Sequence, residues 1–147
     1  MSLGSLTSQQ MIAQLFSHTS IEHEPASAGR MMNGHFGTRS LTPKGEWRTL
    51  TDMKNSASDI SPTAAQVPRL LGLAYASKLY RNNPDLSEYR DFSIEGNEIA
   101  FGTIGNASTS EGHFFEAINA AGVLQVPMIM SVWDDAYGIS VPQSYHT

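Results

Sequence analysis

Two apolar runs flanking one amphipathic segment constrain this chain more than any other feature. Residues 98–104, EIAFGTI, are apolar enough to form a buried strand, and residues 126–133, VPMIMSVW, to form a second. Between them, residues 110–125, SEGHFFEAINAAGVLQ, place Phe114, Phe115, Ile118, Ala121 and Leu124 at helical spacing, with Ser110 as the expected N-cap. Strand, helix and strand in that order make a βαβ unit. Its strands are expected to be parallel, joined by a right-handed crossover.

Such a unit also says where a ligand would bind. In an open parallel sheet, ligands sit at the carboxyl ends of the strands. Here those ends are GNAST (105–109) and WDDAYG (133–138). The first is made of small residues, so backbone can approach a ligand closely. It leads into a helix N-terminus, whose free N–H groups and dipole favour anions. The phosphate loop GxxxxGK[ST] and the dinucleotide fingerprint GxGxxG are both absent. Asn106, Asp134 and Asp135 bring oxygen atoms to the two strand ends, a set that suits Mg²⁺ or Ca²⁺. The ordinary alternative is an Asx turn at Asn106 and a solvated turn at Asp134 and Asp135. Spacing alone leaves both open.

Upstream, residues 8–18 carry Met11, Ile12, Leu15 and Phe16 at helical spacing. Residues 19–65 are rich in Ser, Thr, Gly, Asn and Pro and read as a long loop, which in a compact domain is usually functional or disordered. A helix is expected over about 65–81, with Val67, Leu70, Leu71, Ala74, Tyr75 and Leu79 inward. Pro68 then falls in its first turn, where a missing N–H costs little.

The 147 residues suffice for one domain with one core. Hydrophobic residues make up 40% and charged residues 16%, as in globular chains. A net charge of −5 argues against non-specific nucleic-acid binding. The absence of cysteine excludes disulfides and is compatible with the cytoplasm. No run of about 18 apolar residues suggests a membrane span, and no signal peptide is recognisable. Residues 1–7 read as a tail, and the ending QSYHT suggests a piece of a larger chain.

Several motifs, in order, resemble one family. GNASTSEGHFFEAINAAGVLQVPMIMSVWDDAYGISVP is similar to the thiamine-diphosphate motif of the E1 α components of 2-oxoacid dehydrogenases. That family reads GDG, EG, EA-N-A, LP, then ENN-YAIS. The matching pieces are Gly105, Glu111, Gly112, Glu116, Ala117, Asn119, Pro127 and AYGIS. GRMMNGHFG resembles the family's GR-MP-HYG, and SPTAAQVPRLLGLAYASK its SP-ATQ-P-A-G-AYA-K. The resemblance spans about residues 10–145 and is nearest to branched-chain enzymes, with pyruvate enzymes next.

The resemblance implies an α/β, three-layer parallel-sheet thiamine-diphosphate-binding fold, of which residues 1–147 would be a single, partial domain. It implies oxidative decarboxylation of a 2-oxo acid with thiamine diphosphate and Mg²⁺, and acyl transfer to lipoyl-E2. A β-type E1 subunit or domain would complete the site and bring the activating Glu, in a dimer or α2β2-like assembly. By position, Asn106 falls on the Mg²⁺-binding acid, Asp135 on the Mg²⁺-binding Asn, and Tyr137 on the residue whose carbonyl completes the set. Gly105, Ala107 and Ser108 fall at the diphosphate, and the main chain of Ser61 and Thr63 at the aminopyrimidine. His35 falls on a His near the active-site channel, in a polar or proton-handling role or as a loop-stabilising group. Gln66 falls in a potassium loop whose Thr ligand is Ala65 here.

The chain also departs from the pattern. The usual Asp is Asn106 and the usual Asn is Asp135, so one carboxylate and one amide are retained. Trp133 stands in place of a polar residue and Ala107 in place of a glycine, tolerable if its φ is negative. The departures keep a second function in view: a non-catalytic homologue or scaffold half contributing only an interface.

Overall fold

The computed structural model describes residues 6–31, 35–57 and 60–146. These form two compact units, Met1–Asp59 and Ile60–Thr147.

In the first unit, helix α1 (Ser8–Leu15) opens with a capping box. Thr7, inside the stretch read as a tail, accepts from the Gln10 N–H, and the Gln10 side chain accepts from the Thr7 N–H. Residues 1–5 of that stretch lie outside the described residues. The helix ends earlier than residue 18, and the residues at helical spacing, Met11, Ile12, Leu15 and Phe16, are exposed. Ala13 and Gln14 are buried instead.

The long loop is built on one carboxylate. Glu24, 1% exposed, accepts from the N–H groups of Ala26, Ser27 and Gly29 and from the Ser27 hydroxyl. The Ser27 oxygen in turn accepts from the N–H groups of Arg30 and Met31. Burial pushes the Glu24 carboxyl up, but the Ser27 hydroxyl and the backbone N–H groups outweigh it and hold it below the ordinary 4.5. Gly29 is required here: its φ is +78°, and a Cβ would lie 2.6 Å from the Ser17 carbonyl oxygen. Further along, Trp47 bridges to Leu41, and a 3₁₀ turn covers Leu50–Asp52.

In the second unit, helix α2 (Gln66–Asn82) leads by way of a turn to strand β1 (Ala100–Gly105). Helix α3 (Gly112–Leu124) and strand β2 (Met128–Trp133) follow. The strands pair in parallel, from Ala100 with Met128 to Gly105 with Trp133. The strands are therefore parallel, as expected of a βαβ unit, and the unit is α/β with a parallel sheet. Two short strands, β3 (Tyr137–Gly138) and β4 (Val141–Pro142), form a hairpin after it.

The core gathers Ala64, Val67, Ile104 and Ala117, with Leu71, Phe114 and Met130 packed against it. Gly102 belongs to the same face: a Cβ there would lie 2.5 Å from a Leu70 methyl, so α2 rides close on β1. Both helices thus contribute to one side of the strands. Alternation puts Phe101, Ile129 and Trp133 on the opposite side, where all three are exposed. The strands expected to be buried are therefore buried on one face only. The same holds for the helices, since Tyr75 and Leu79 on α2 and Phe115 on α3 are exposed although their spacing put them inward.

Ser110 is not the cap of α3. A 3₁₀ turn, Ala107–Ser110, lies between β1 and the helix, and Glu111 in extended conformation is the N-cap, without a side-chain bond. The Ser110 hydroxyl donates instead to the His146 carbonyl. At the other end of α3, the Lys78 ammonium donates to the Leu124 carbonyl, a charge placed where the helix dipole favours a cation.

Candidate functional site

The site grows out of the last pair of the parallel ladder. Gly105 pairs with Trp133, and the Asn106 N–H continues to the Trp133 carbonyl at 3.2 Å. Asn106 then turns into αR conformation. Its carbonyl accepts from the Thr109 N–H at 3.0 Å and from the Thr109 hydroxyl at 2.6 Å, closing the 3₁₀ turn. The N–H groups of Ala107 and Ser108 precede that first bond and are left to other partners. Ala107 has no positive φ, so its Cβ is tolerated.

The facing wall is the segment after β2. The Asp134 carboxylate accepts from the Ala136 N–H at 2.8 Å, and the Asp135 carboxylate from the Tyr137 N–H at 3.2 Å. Each bond occupies one oxygen and leaves the other for a ligand. Ala136, directly after Asp135, has φ +69°, a strained conformation for a residue with a Cβ. The Gln143 N–H holds the Ala136 carbonyl at 2.9 Å, tying the loop to the end of the hairpin.

Between these walls lies a cleft of about 450 Å³. It is lined by Gly105, Asn106 and Ala107 from one wall and by Trp133, Asp134, Asp135, Tyr137, Gly138 and Ile139 from the other. Asn106 is its most telling member. It is 4% exposed, and its Nδ2 is buried with no partner among the described residues. Its side chain makes no capping bond, so the Asx-turn alternative for Asn106 is not what is found. The turn alternative for Asp134 and Asp135 does describe one oxygen of each. Among the described residues no group of three or more His, Asp or Glu could hold a metal by itself. Any cation here would depend on the amide and on main-chain carbonyls as well.

Of the residues singled out in the sequence, the structure thus brings together Gly105, Asn106, Ala107, Asp135 and Tyr137. Ser108 is not in the cleft lining; it stands in the 3₁₀ turn, where its carbonyl accepts from the Glu111 N–H. Ser61 and Thr63 are exposed and lie before α2, outside the cleft lining. The Thr63 carbonyl is 2.8 Å from His113 Nε2, which must carry a proton to donate to it. His35 belongs to the first unit, where its carbonyl accepts from the buried Gln14 side chain at 3.2 Å. Sequence reasoning missed Gly138 and Ile139 as lining residues, and His113 as the tie between α3 and residue 63. Only the position of Gly138 inside AYGIS could have signalled its place.

The family described as Dehydrogenase E1 component matches over residues 4–147. The 2-oxoisovalerate dehydrogenase subunit alpha of Bacillus subtilis (strain 168) is 31% identical over 119 residues, covering 81% of this chain and 28% of that protein. The mitochondrial 2-oxoisovalerate dehydrogenase subunit alpha of Caenorhabditis elegans is 31% identical over 116 residues, 79% of this chain and 21% of the relative. The corresponding subunit of Bos taurus is 28% identical over 116 residues, 79% and 20%. The chain therefore spans between about a fifth and 28% of these curated relatives. Among the described residues, no helix is long and apolar enough to cross a membrane.

Proposed function

The chain belongs to the dehydrogenase E1 component family, and from that premise we propose that it is the α-type part of a 2-oxoacid dehydrogenase of the branched-chain type. Its reaction is oxidative decarboxylation of a 2-oxo acid with thiamine diphosphate and Mg²⁺, followed by acyl transfer to a lipoyl-bearing E2. A cytoplasmic location and a dimeric or α2β2-like assembly with a β-type partner belong to the same proposal.

The observation that carries it is the cleft at the paired ends of β1 and β2, with the buried, unpartnered amide of Asn106 in its wall. The unpartnered atom is the Nδ2 donor; leaving it unpaired costs about 1–3 kcal/mol, and an acceptor such as a diphosphate oxygen would complete it, with Oδ1 left for the cation. The cleft is rich in acceptors: two carboxylates, an amide oxygen and main-chain carbonyls. Hard oxygen donors of this kind fit Mg²⁺, which takes about six in an octahedron.

In this assignment Asn106, Asp135 and the Tyr137 carbonyl hold Mg²⁺. The Ala107 and Ser108 N–H groups meet the diphosphate beside Gly105, where the backbone is bare. The main chain at Ser61 and Thr63 takes the aminopyrimidine, with His113 holding the Thr63 carbonyl in place. His35 handles a proton or a polar group of the substrate. Thiamine diphosphate, when bound, supplies the carbon nucleophile and the electron sink for decarboxylation. The β-type partner supplies the remaining wall and the activating Glu, so the chain alone is expected to be inactive.

Calorimetric titration of thiamine diphosphate with Mg²⁺ into the complete assembly tests the proposal. Saturable binding is expected. No binding at millimolar cofactor would overturn it in favour of a non-catalytic α/β module. Asp135→Asn leaves two neutral amides at the ion and should weaken Mg²⁺ binding by about tenfold or more. Adding Asn106→Asp should restore it; unchanged affinity in Asp135→Asn would remove that carboxylate from the ligand set.

A further inference from the structure

Where the first turn meets the hairpin, the two walls of the cleft are in contact through a single methyl group. Ala107 opens the 3₁₀ turn of the first wall, and Gly138 ends β3 in the second. Both line the cleft. A Cβ built on Gly138 would lie 2.5 Å from the Ala107 Cβ and 3.3 Å from His146 Nε2. Carbon atoms in ordinary contact stand about 3.5–4.0 Å apart, so no second methyl fits. Nor does the backbone require glycine, since Gly138 is not among the residues with positive φ. The requirement is space alone.

The second wall has little room to move. Gly138 pairs with Val141, the Asp135 carboxylate holds the Tyr137 N–H, and the Gln143 N–H holds the Ala136 carbonyl. The Ser110 hydroxyl, three residues after Ala107, donates to the His146 carbonyl. A methyl added at 138 would therefore be relieved by widening the gap between the walls rather than by bending one of them. The residues that face each other across that gap are Asn106 and Ala107 on one side and Asp135 and Tyr137 on the other.

We infer that Gly138 is a positioning residue. Its missing side chain receives the Ala107 methyl, and that contact sets the spacing at which the two walls hold a ligand in common. The inference rests on the function proposed above for the identity of the ligand; the contact itself does not.

The test is a substitution cycle in the complete assembly: Gly138→Ala, Ala107→Gly, and both together. Two quantities are read, the melting temperature without ligand and the dissociation constant for thiamine diphosphate with Mg²⁺. Gly138→Ala should weaken binding by about tenfold or more, because misplacement by a fraction of an ångström separates groups that act together. Ala107→Gly opens a gap and should cost less, about threefold. The double variant moves the methyl to the other partner and should return to within about threefold of the unaltered chain, a coupling that independent sites do not show. Gly72→Ala, on α2 with open space around it, should leave the dissociation constant unchanged while raising the melting temperature slightly through helix propensity. Unaltered binding in Gly138→Ala, or a double variant no better than Gly138→Ala, would overturn the inference. If the unaltered assembly binds no thiamine diphosphate, the proposed function fails separately. The melting temperatures then decide: recovery in the double variant supports the contact, and no recovery refutes it.

Discussion

The two units of this chain are held by opposite means. In Ile60–Thr147 an apolar cluster of Val67, Ile104, Ala117 and their neighbours fixes two helices on a parallel pair of strands. In Met1–Asp59 the best-buried large side chain is a carboxylate, Glu24, and the loop around it takes its shape from hydrogen bonds. Apolar packing is non-directional and tolerates relaxation, whereas a charged hub is directional and all of its bonds share one group. The difference teaches that short-range polar order can replace a core where periodic apolar residues are scarce, at the cost of dependence on one ionised side chain.

Substitutions can break or sharpen that contrast. The largest expected effect is Ile104→Ala, which empties the centre of the apolar cluster. It should destabilise by about 3 kcal/mol, seen as a lower midpoint in urea and faster amide exchange on β1, β2 and α2. Protection of the Glu24 loop should be retained. Glu24→Gln comes next, at about 2 kcal/mol, because a neutral amide cannot accept from every donor that surrounds it. Amides of Ser27, Gly29, Arg30 and Met31 should exchange faster while β1 and β2 keep their protection. Comparable loss in both units from either substitution would erase the distinction.

Acid sharpens it further. The folded Glu24 carboxyl titrates below its ordinary 4.5, so its stabilisation is complete above that value and is lost as pH falls through the lower folded one. Glu98, which accepts from the Ile94 N–H and the Ser93 hydroxyl, is also lowered: burial raises it, and these bonds together with Arg81 outweigh the rise. Hydrogen exchange on lowering the pH below 4.5 should therefore open two places first, the Glu24 loop and the 93–98 turn, with the β1–β2 ladder opening later. Simultaneous opening of the ladder would refute the assignment of acid sensitivity to these two carboxylates. The smallest effect is Thr7→Ala, which removes one side of the α1 capping box and should cost about 1 kcal/mol, read from α1 amide exchange.

The parts legible in the sequence are those that depend on neighbours along the chain. The 3.6-residue spacing of Val67, Leu70 and Ala74 marked α2 almost to its ends, and the apolar runs marked both strands. The strand ends then located the cleft. What periodicity cannot tell is whether a face is covered: Phe101, Phe115 and Leu79 have the right spacing and remain exposed. Ser110 is a good capping residue by type, but the His146 carbonyl, distant in sequence, takes its hydroxyl. Nothing in the spacing along the chain marks Glu24, whose role arises once the chain curls its own N–H groups around it. The role of Gly138 is set by a methyl 31 positions earlier, at Ala107, which no local pattern records.

The two tryptophans divide between the units, Trp47 in the first and Trp133 on the cleft wall of the second. Both indoles are largely open to water, at 59% and 69%. The chain thus carries a separate intrinsic fluorophore in each unit. With Trp47→Phe, emission would come from the cleft alone, and quenching or a blue shift on addition of a ligand would report occupancy optically, without any turnover.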